Sequence, residues 1–274
     1  MQYFKIALSQ EEDGAYLEAF IAEPLPHCHR RAILVIPGGG YWNICSDREG
    51  EPIAHAFMPY GYNAFVLHYT VERKKPYPAQ LIEAARAVAH IKDHAEKYGI
   101  DPNEVFATGF SAGGHLVASL GVLWKEECIY RATGMPYGHC RVAGVIPVYP
   151  VTTVASHFGS CKNLFCTDAP TEEEIALFDL DRRADGDSVP AFFMHTANDQ
   201  VVDVKGTLAL AAAYSKNGVP FELHIYPDAP HGAALSNRIT WGGNPKHDNP
   251  AIAEWVRMAA VWADGVCREN EQKN

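Results

Sequence analysis

The chain has 274 residues, 47% hydrophobic and 20% charged, the make-up of a folded globular protein and not of a disordered one. Its formal net charge of −10 opposes phosphate backbones and anionic lipid, so neither nucleic acid nor a membrane is expected as a partner. No apolar run reaches transmembrane length, no charged and then apolar leader opens the chain, and the seven scattered cysteines fit reduced thiols, so a cytoplasmic protein is expected.

Two strands are predicted at 4–9 and 16–22, separated by the turn residues Glu12, Asp13 and Gly14. The loop that follows carries His27, Cys28 and His29, which stand too close together to converge on one ion. The continuous apolar run 32–36 reads as a strand buried on both faces, and it empties into Pro37-Gly38-Gly39-Gly40-Tyr41-Trp42. A helix over 49–58, a buried strand over 63–69 and a helix over 77–98 with Gly99 as its stop come next. A short apolar run beginning at Val105 ends in Gly109-Phe110-Ser111-Ala112-Gly113, and a helical stretch, 116–122, follows at once. Strand 142–149 leads into 150–189, an acid-rich segment with a short helix at 171–178 that matches no strand–helix repeat. Alternation resumes with strand 191–196, helix 204–217, strand 221–226 and a last helix over 250–267. Strand and helix alternating along the chain mean an α/β protein with a mostly parallel sheet covered on both faces. The simplest organisation is one domain, 1–274, with a small cap insertion at 150–189.

Gly-x-Ser-x-Gly between a strand and a helix is the context that presents a serine as a nucleophile on a strained turn. A serine hydroxyl needs a base to take its proton, and the base needs an orienting acid. In α/β sheets both belong in loops beyond the carboxyl ends of later strands, in the chain order Ser, Asp or Glu, His. Asp199 follows strand 191–196 and His231 follows strand 221–226, so both satisfy order and place. Their rivals fit less well. Asp203 stands where a helix is capped, His195 and His224 fall inside strands as core histidines, Asp228 reads as a turn residue, and His247 lies further along in a loop. The developing oxyanion needs backbone N–H donors, and the glycine run 38–40 after an early strand, together with the N–H of Ala112, meets that need. The run lacks the Gly-Lys-Ser/Thr ending of a phosphate loop and the Gly-x-Gly-x-x-Gly of a dinucleotide site. Cys161, Cys166 and His157 have no second ligand pair at metal-binding spacing, so neither metal nor cofactor is expected.

With these pieces spread over nearly the whole chain, the sequence resembles an α/β-hydrolase of the esterase/lipase group, nearest to small acetyl-xylan-esterase-like carboxylesterases. The segments that carry the resemblance are 36–41, 109–115, 195–202 and 230–232. The resemblance implies Ser111 as nucleophile, His231 as general base and then acid, Asp199 as orienting acid, and Gly39, Gly40 and Ala112 as oxyanion donors. Many relatives open the glycine loop with histidine where this chain has Pro37, a change that backbone donors tolerate. The implied reaction is hydrolysis of short acyl esters, especially acetyl groups on imported plant-type oligosaccharides such as acetylated xylo-oligosaccharides, through an acyl-enzyme. Tyr41, Trp42, Tyr69 and Trp241 are aromatic candidates for stacking on sugar rings, against packing as the commoner use of such residues. The partner expected is thus a small-molecule or oligosaccharide ester, and a homodimer is compatible with the sequence. Two other readings share these motifs: a prolyl-oligopeptidase-like serine peptidase, for whose accessory domain the chain has no room, and a non-catalytic binding protein on the hydrolase fold.

Overall fold

The central strands of this protein carry runs of buried apolar residues that point to both faces, because the sheet is covered on both sides. The structure is a computed structural model that describes residues 1–9 and 14–273. Its strands are β1 (Gln2–Ala7), β2 (Tyr16–Ile21), β3 (Arg30–Ile36), β4 (Tyr62–His68), β5 (Ile100–Phe110), β6 (Gly144–Val148), β7 (Ala191–Thr196) and β8 (Phe221–Tyr226). They form one sheet in the order β1-β2-β4-β3-β5-β6-β7-β8. The first two pairings, β1 with β2 and β2 with β4, are antiparallel, and the pairings from β4 through β8 are parallel. Side chains alternate between the faces, so β3 sends Ala32, Leu34 and Ile36 into one core and Ile33 and Val35 into the other. Both edges differ from the centre: β1 and β8 alternate exposed with partly buried residues, whereas every residue of β7 is buried.

The helices are α1 (Ser46–Glu49), α2 (Glu51–Phe57), α3 (Ala79–Asp93), α4 (Ala95–Tyr98), α5 (Ser111–Leu123), α6 (Glu127–Thr133), α7 (Phe158–Leu164), α8 (Glu172–Phe178), α9 (Val204–Lys216), α10 (Pro250–Ala253) and α11 (Trp255–Lys273). The core on one face holds side chains of α3 and α5, and the other holds those of α2 and α11. All thirteen residues of α5 are buried, which explains why this helix has no polar stripe to read in the sequence.

Several expected boundaries move. The helix expected at 49–58 is two helices meeting at Gly50, which departs from helical geometry, and α2 restarts with Pro52 in its first turn, where a missing N–H costs nothing. The helix expected at 77–98 begins only at Ala79 and is interrupted at His94, and Gly99 closes α4 in the left-handed conformation that a stop requires. α6 had no counterpart in the sequence reading. Of the turn expected at Glu12, Asp13 and Gly14, the first two residues lie outside the described ones.

Residues 150–189 connect β6 to its parallel neighbour β7. They carry α7, α8 and a single 3₁₀ turn (Leu180–Arg182), and α8 starts with a capping box in which Thr171 and Glu174 satisfy each other's backbone N–H groups. The segment packs on α5 through the Phe178 carbonyl, which lies 3.1 Å from Nε2 of His115, and through the Val189 N–H, which donates to the carbonyl of Gly121.

Candidate active site

Ser111 sits where β5 turns into α5 with a positive φ of 53°, the strained conformation expected of a residue forced outward at such a turn. The crossing is tight. A Cβ on Gly109 would lie 2.5 Å from the carbonyl oxygen of Gly113, and one on Gly113 would lie 2.2 Å from that of Ile36. Only glycine lets strand and helix meet there.

Asp199 and His231 lie in the loops after β7 and β8, and the parallel register of those strands brings both loops to the same end of the sheet as the serine. His231 Nε2 is 2.9 Å from Ser111 Oγ, and His231 Nδ1 is 2.7 Å from Asp199 Oδ2. The Asp199 side chain is fully buried, and its other oxygen accepts from the backbone N–H groups of Val201 at 2.8 Å and Val202 at 3.0 Å. Behind it lies His195, also fully buried, with Nε2 at 3.4 Å from Asp199 Oδ2 and 3.1 Å from the carbonyl of Val202. Burial alone would raise the Asp199 carboxyl, but the hydrogen bonds from His195, His231 and the backbone, with the nearby imidazole charge, carry it well below the usual carboxylate range. The carboxylate therefore stays ionised, and with its Nδ1–H engaged by that carboxylate the imidazole has Nε2 free to accept a proton from Ser111.

The rival residues have other uses. Asp203 caps α9, accepting from the Lys205 N–H, and Asp228 accepts a short hydrogen bond from Asn198 that ties the two loops together. His224 is not a core histidine: it lies on the edge strand β8, partly exposed and 3.1 Å from Glu222. His247 ends a 3₁₀ turn (Pro245–His247).

The orientation of the glycine loop follows from where its carbonyls are tied, because in a trans peptide the N–H points opposite to the C=O. The carbonyl of Gly38 accepts from Cys45 N–H at 3.0 Å, and that of Gly39 from Trp42 and Asn43 N–H at 3.0 and 3.1 Å. The carbonyl of Gly40 accepts from the side-chain amide of Asn163, in α7, at 2.8 Å. The ties on the Gly38 and Gly39 carbonyls turn the N–H groups of Gly39 and Gly40 the other way, while Asn163 holds the next peptide, Gly40–Tyr41; among the described residues neither those N–H groups nor that of Ala112 meets a protein acceptor. Gly39 and Gly40 hold this path with φ of 129° and 65°. Gly38 differs: its N–H donates to Glu49 Oε2 at 2.8 Å and is committed to the protein interior.

Of the aromatic candidates, Tyr41 must be corrected. It is 1% exposed and its hydroxyl donates to Nδ1 of the buried His115 at 2.8 Å, so it packs beneath the loop and offers no face to a sugar. Tyr69 is equally buried, with its hydroxyl on the Pro37 carbonyl at 3.0 Å. The positive φ of 59° at Tyr41 swings its ring inward where the sequence position beside the glycines suggested an outward one. Trp42 is 55% exposed next to the loop, and Trp241 is partly exposed with the Arg238 guanidinium 4.1 Å over its ring.

Sequence reasoning missed Glu49, Tyr149 and Asn163. Glu49 is buried, its second oxygen accepts from the Tyr149 hydroxyl at 2.9 Å, and burial pushes its carboxyl up against the counter-effect of those hydrogen bonds. No motif spacing marks these residues, since each reaches the site only through tertiary packing. Among the described residues no group of three His, Cys, Asp or Glu side chains is arranged to hold a metal, all seven cysteines are free, and no helix is long and apolar enough to cross a membrane.

The chain can now be placed among known proteins. It is 36% identical over 221 residues to endo-1,4-beta-xylanase B of Butyrivibrio fibrisolvens, covering 78% of this chain and 34% of that protein. It is 28% identical over 245 residues to an acetylxylan esterase of Xylanibacter ruminicola, covering 86% of this chain and 47% of that protein. This chain thus spans half or less of the length of those two curated relatives. The solved structure of an acetyl ester-xyloside bifunctional hydrolase from Caldicellulosiruptor lactoaceticus superposes with a TM-score of 0.82 at 29% identity, covering 96% of each chain. The model of the BD-FAE family matches residues 25–214, more than two thirds of the sequence and the part that carries the glycine loop, Ser111 and Asp199. The chain belongs to the BD-FAE family and has the α/β-hydrolase fold.

Proposed function

We propose that this protein is a serine ester hydrolase that removes short acyl groups, acetyl above all, from carbohydrate esters of the size of acetylated xylo-oligosaccharides. The observation that carries the reading is the unbroken hydrogen-bonded chain Asp199–His231–Ser111, at 2.7 and 2.9 Å, beside N–H groups that meet no protein acceptor among the described residues. In the first half-reaction Ser111 Oγ attacks the ester carbonyl carbon while His231 Nε2 takes its proton. Asp199 holds the ring and balances the imidazolium, and the N–H groups of Gly39, Gly40 and Ala112 receive the charge that develops on the carbonyl oxygen. His231 then protonates the leaving sugar oxygen, and an acyl-Ser111 ester remains. Water, activated by the same imidazole, attacks that ester and releases the acid.

The carbohydrate half of the proposal is supported by the acetylxylan esterase of X. ruminicola and the acetyl ester-xyloside hydrolase of C. lactoaceticus. Trp42, exposed beside the glycine loop, is the aromatic surface best suited to a sugar ring, with Trp241 second because Arg238 already covers its ring. Residues 150–189, which reach the glycine loop through Asn163, are proposed as the cap that forms one wall of the substrate site.

Ser111→Ala should lower kcat on p-nitrophenyl acetate by roughly 10⁴-fold or more while the far-UV circular dichroism is unchanged. A variant that kept near-normal rates would sink the assignment. Acetate release from acetylated xylo-oligosaccharides, compared with cleavage of an aminoacyl-arylamide, separates an esterase from a peptidase. Failure of an organophosphate to label the wild-type protein would point instead to a binding protein.

A further inference from the structure

Glu49 is a buried, 2% exposed carboxylate that takes no part in the acyl-transfer steps above, yet each of its oxygens holds a different wall of the site. Oε2 accepts from the Gly38 N–H at 2.8 Å, at the base of the glycine loop. Oε1 accepts from the Tyr149 hydroxyl at 2.9 Å. That hydroxyl in turn accepts from the Ala234 N–H at 3.0 Å, three residues beyond His231. The Tyr149 ring stands edge-on to the His231 imidazole, with centroids 5.0 Å apart and planes at 66°. Tyr149 adopts a positive φ of 36° at the end of β6, a strained backbone that such packing has to maintain. Gly38 has no room to shift toward this group, since a Cβ there would lie 2.8 Å from Glu49 Oε2 and 2.7 Å from the Phe110 carbonyl.

We infer that Glu49 is a positioning residue for the reaction, its carboxylate tying the glycine loop to the His231 loop through Tyr149 so that oxyanion donors and base keep one geometry. The inference rests on the esterase reading and deepens it. Burying a carboxylate is costly, and a fully apolar contact would hold two loops together at less expense. What an apolar contact cannot do is fix the rotation of the Pro37–Gly38 peptide, the point from which the loop carrying the Gly39 and Gly40 N–H groups sets out. Catalytic hydrogen bonds depend steeply on donor direction, so a small rotation there is felt in the transition state more than in the ground state.

The test uses the full chain and counts active sites first. Ser111 is labelled to completion with diethyl p-nitrophenyl phosphate, and kcat and KM for p-nitrophenyl acetate are expressed per titrated site. For Glu49→Ala, kcat per site should fall roughly 10²-fold, of the order seen when an oxyanion donor is lost, with KM changed by no more than about threefold. Affinity for phenylboronic acid, a tetrahedral mimic, should fall in parallel. Glu49→Gln keeps one acceptor and should lie between wild type and alanine. Tyr149→Phe keeps the ring against His231 but cannot donate to Glu49, and should cost about tenfold. A merely structural residue would reduce the fraction of sites titrated and leave the rate per site within about threefold of wild type, and that result overturns the inference. Should Glu49→Ala fail to fold, Glu49→Gln and Tyr149→Phe decide by the same per-site comparison. Should the wild type not label at all, the esterase reading falls first and the positioning role with it.

Discussion

The Asp199 loop and the short helix α1, which ends at Glu49, each place a buried carboxylate at the site, and the protein treats the two in opposite ways. Asp199 collects three hydrogen bonds, from the His231 imidazole and two backbone N–H groups, with the His195 imidazole 3.4 Å behind it, and its carboxyl is held well below the usual range in spite of burial. Glu49 collects two, and burial wins, so its carboxyl is raised. The contrast shows that the number of hydrogen bonds weighed against desolvation, and not depth alone, decides how firmly a buried acid keeps its charge. It also separates roles. A group that must balance a transient imidazolium needs a secure charge, whereas a group that aligns peptides needs only two well-placed acceptor oxygens.

The largest effect expected from this comparison is on rate. Asp199→Asn should lower kcat/KM by roughly 10⁴-fold, since an amide can leave the imidazole in the wrong tautomer, a loss more than about a hundredfold beyond that of Glu49→Gln. Equal losses in steady-state assays would erase the distinction between charge balance and alignment. Next comes the slope of stability with pH. The Asp199 carboxyl is depressed, so its contribution is present above the ordinary carboxyl value of 3.8 and is lost as pH falls below it. The Glu49 carboxyl is raised, so its contribution is fully present below the ordinary value of 4.5 and is lost as pH rises through the folded value. Urea unfolding across pH 3 to 8 should therefore show the gap between wild type and Asp199→Asn widening from the acid end upward, and the gap to Glu49→Gln narrowing. Gaps that change in the same direction with pH would mean that the two acids are held alike. The smallest effect tests the other tie on the glycine loop. Asn163→Ala removes the donor to the Gly40 carbonyl and should cost about tenfold in kcat, with melting temperature nearly unchanged, because the loop keeps its Glu49 anchor. A loss as large as that of Glu49→Ala would place the loop's alignment in residues 150–189 instead.

Much of this molecule was legible before its structure. The apolar runs of β3, β5 and β7 announce strands buried on both faces, and Ser111, Asp199 and His231 each stand just past a strand in the order that hydrolase chemistry needs. What misled the reading was direction. Tyr41 lies next to the glycines in sequence, yet the positive φ at that residue sends its ring inward to His115. His224 reads as a core histidine, yet on the edge strand β8 it stays partly exposed.

The sequence by itself determined the sheet, the sharp turn at Ser111 and the strand ends at which the reacting groups stand, because these depend on local periodicity and on glycines whose steric need is local. Only the tertiary structure decided that Glu49 lies beneath Gly38 and that Tyr149 joins it to the His231 loop, a hundred residues from Glu49 in sequence. It likewise decided that Asn163 holds the Gly40 carbonyl at the end of the glycine run. A carboxylate, a phenol and an amide carry no periodic signal, and their partners are single backbone or side-chain atoms brought within 3.0 Å only when segments far apart in the chain pack side by side.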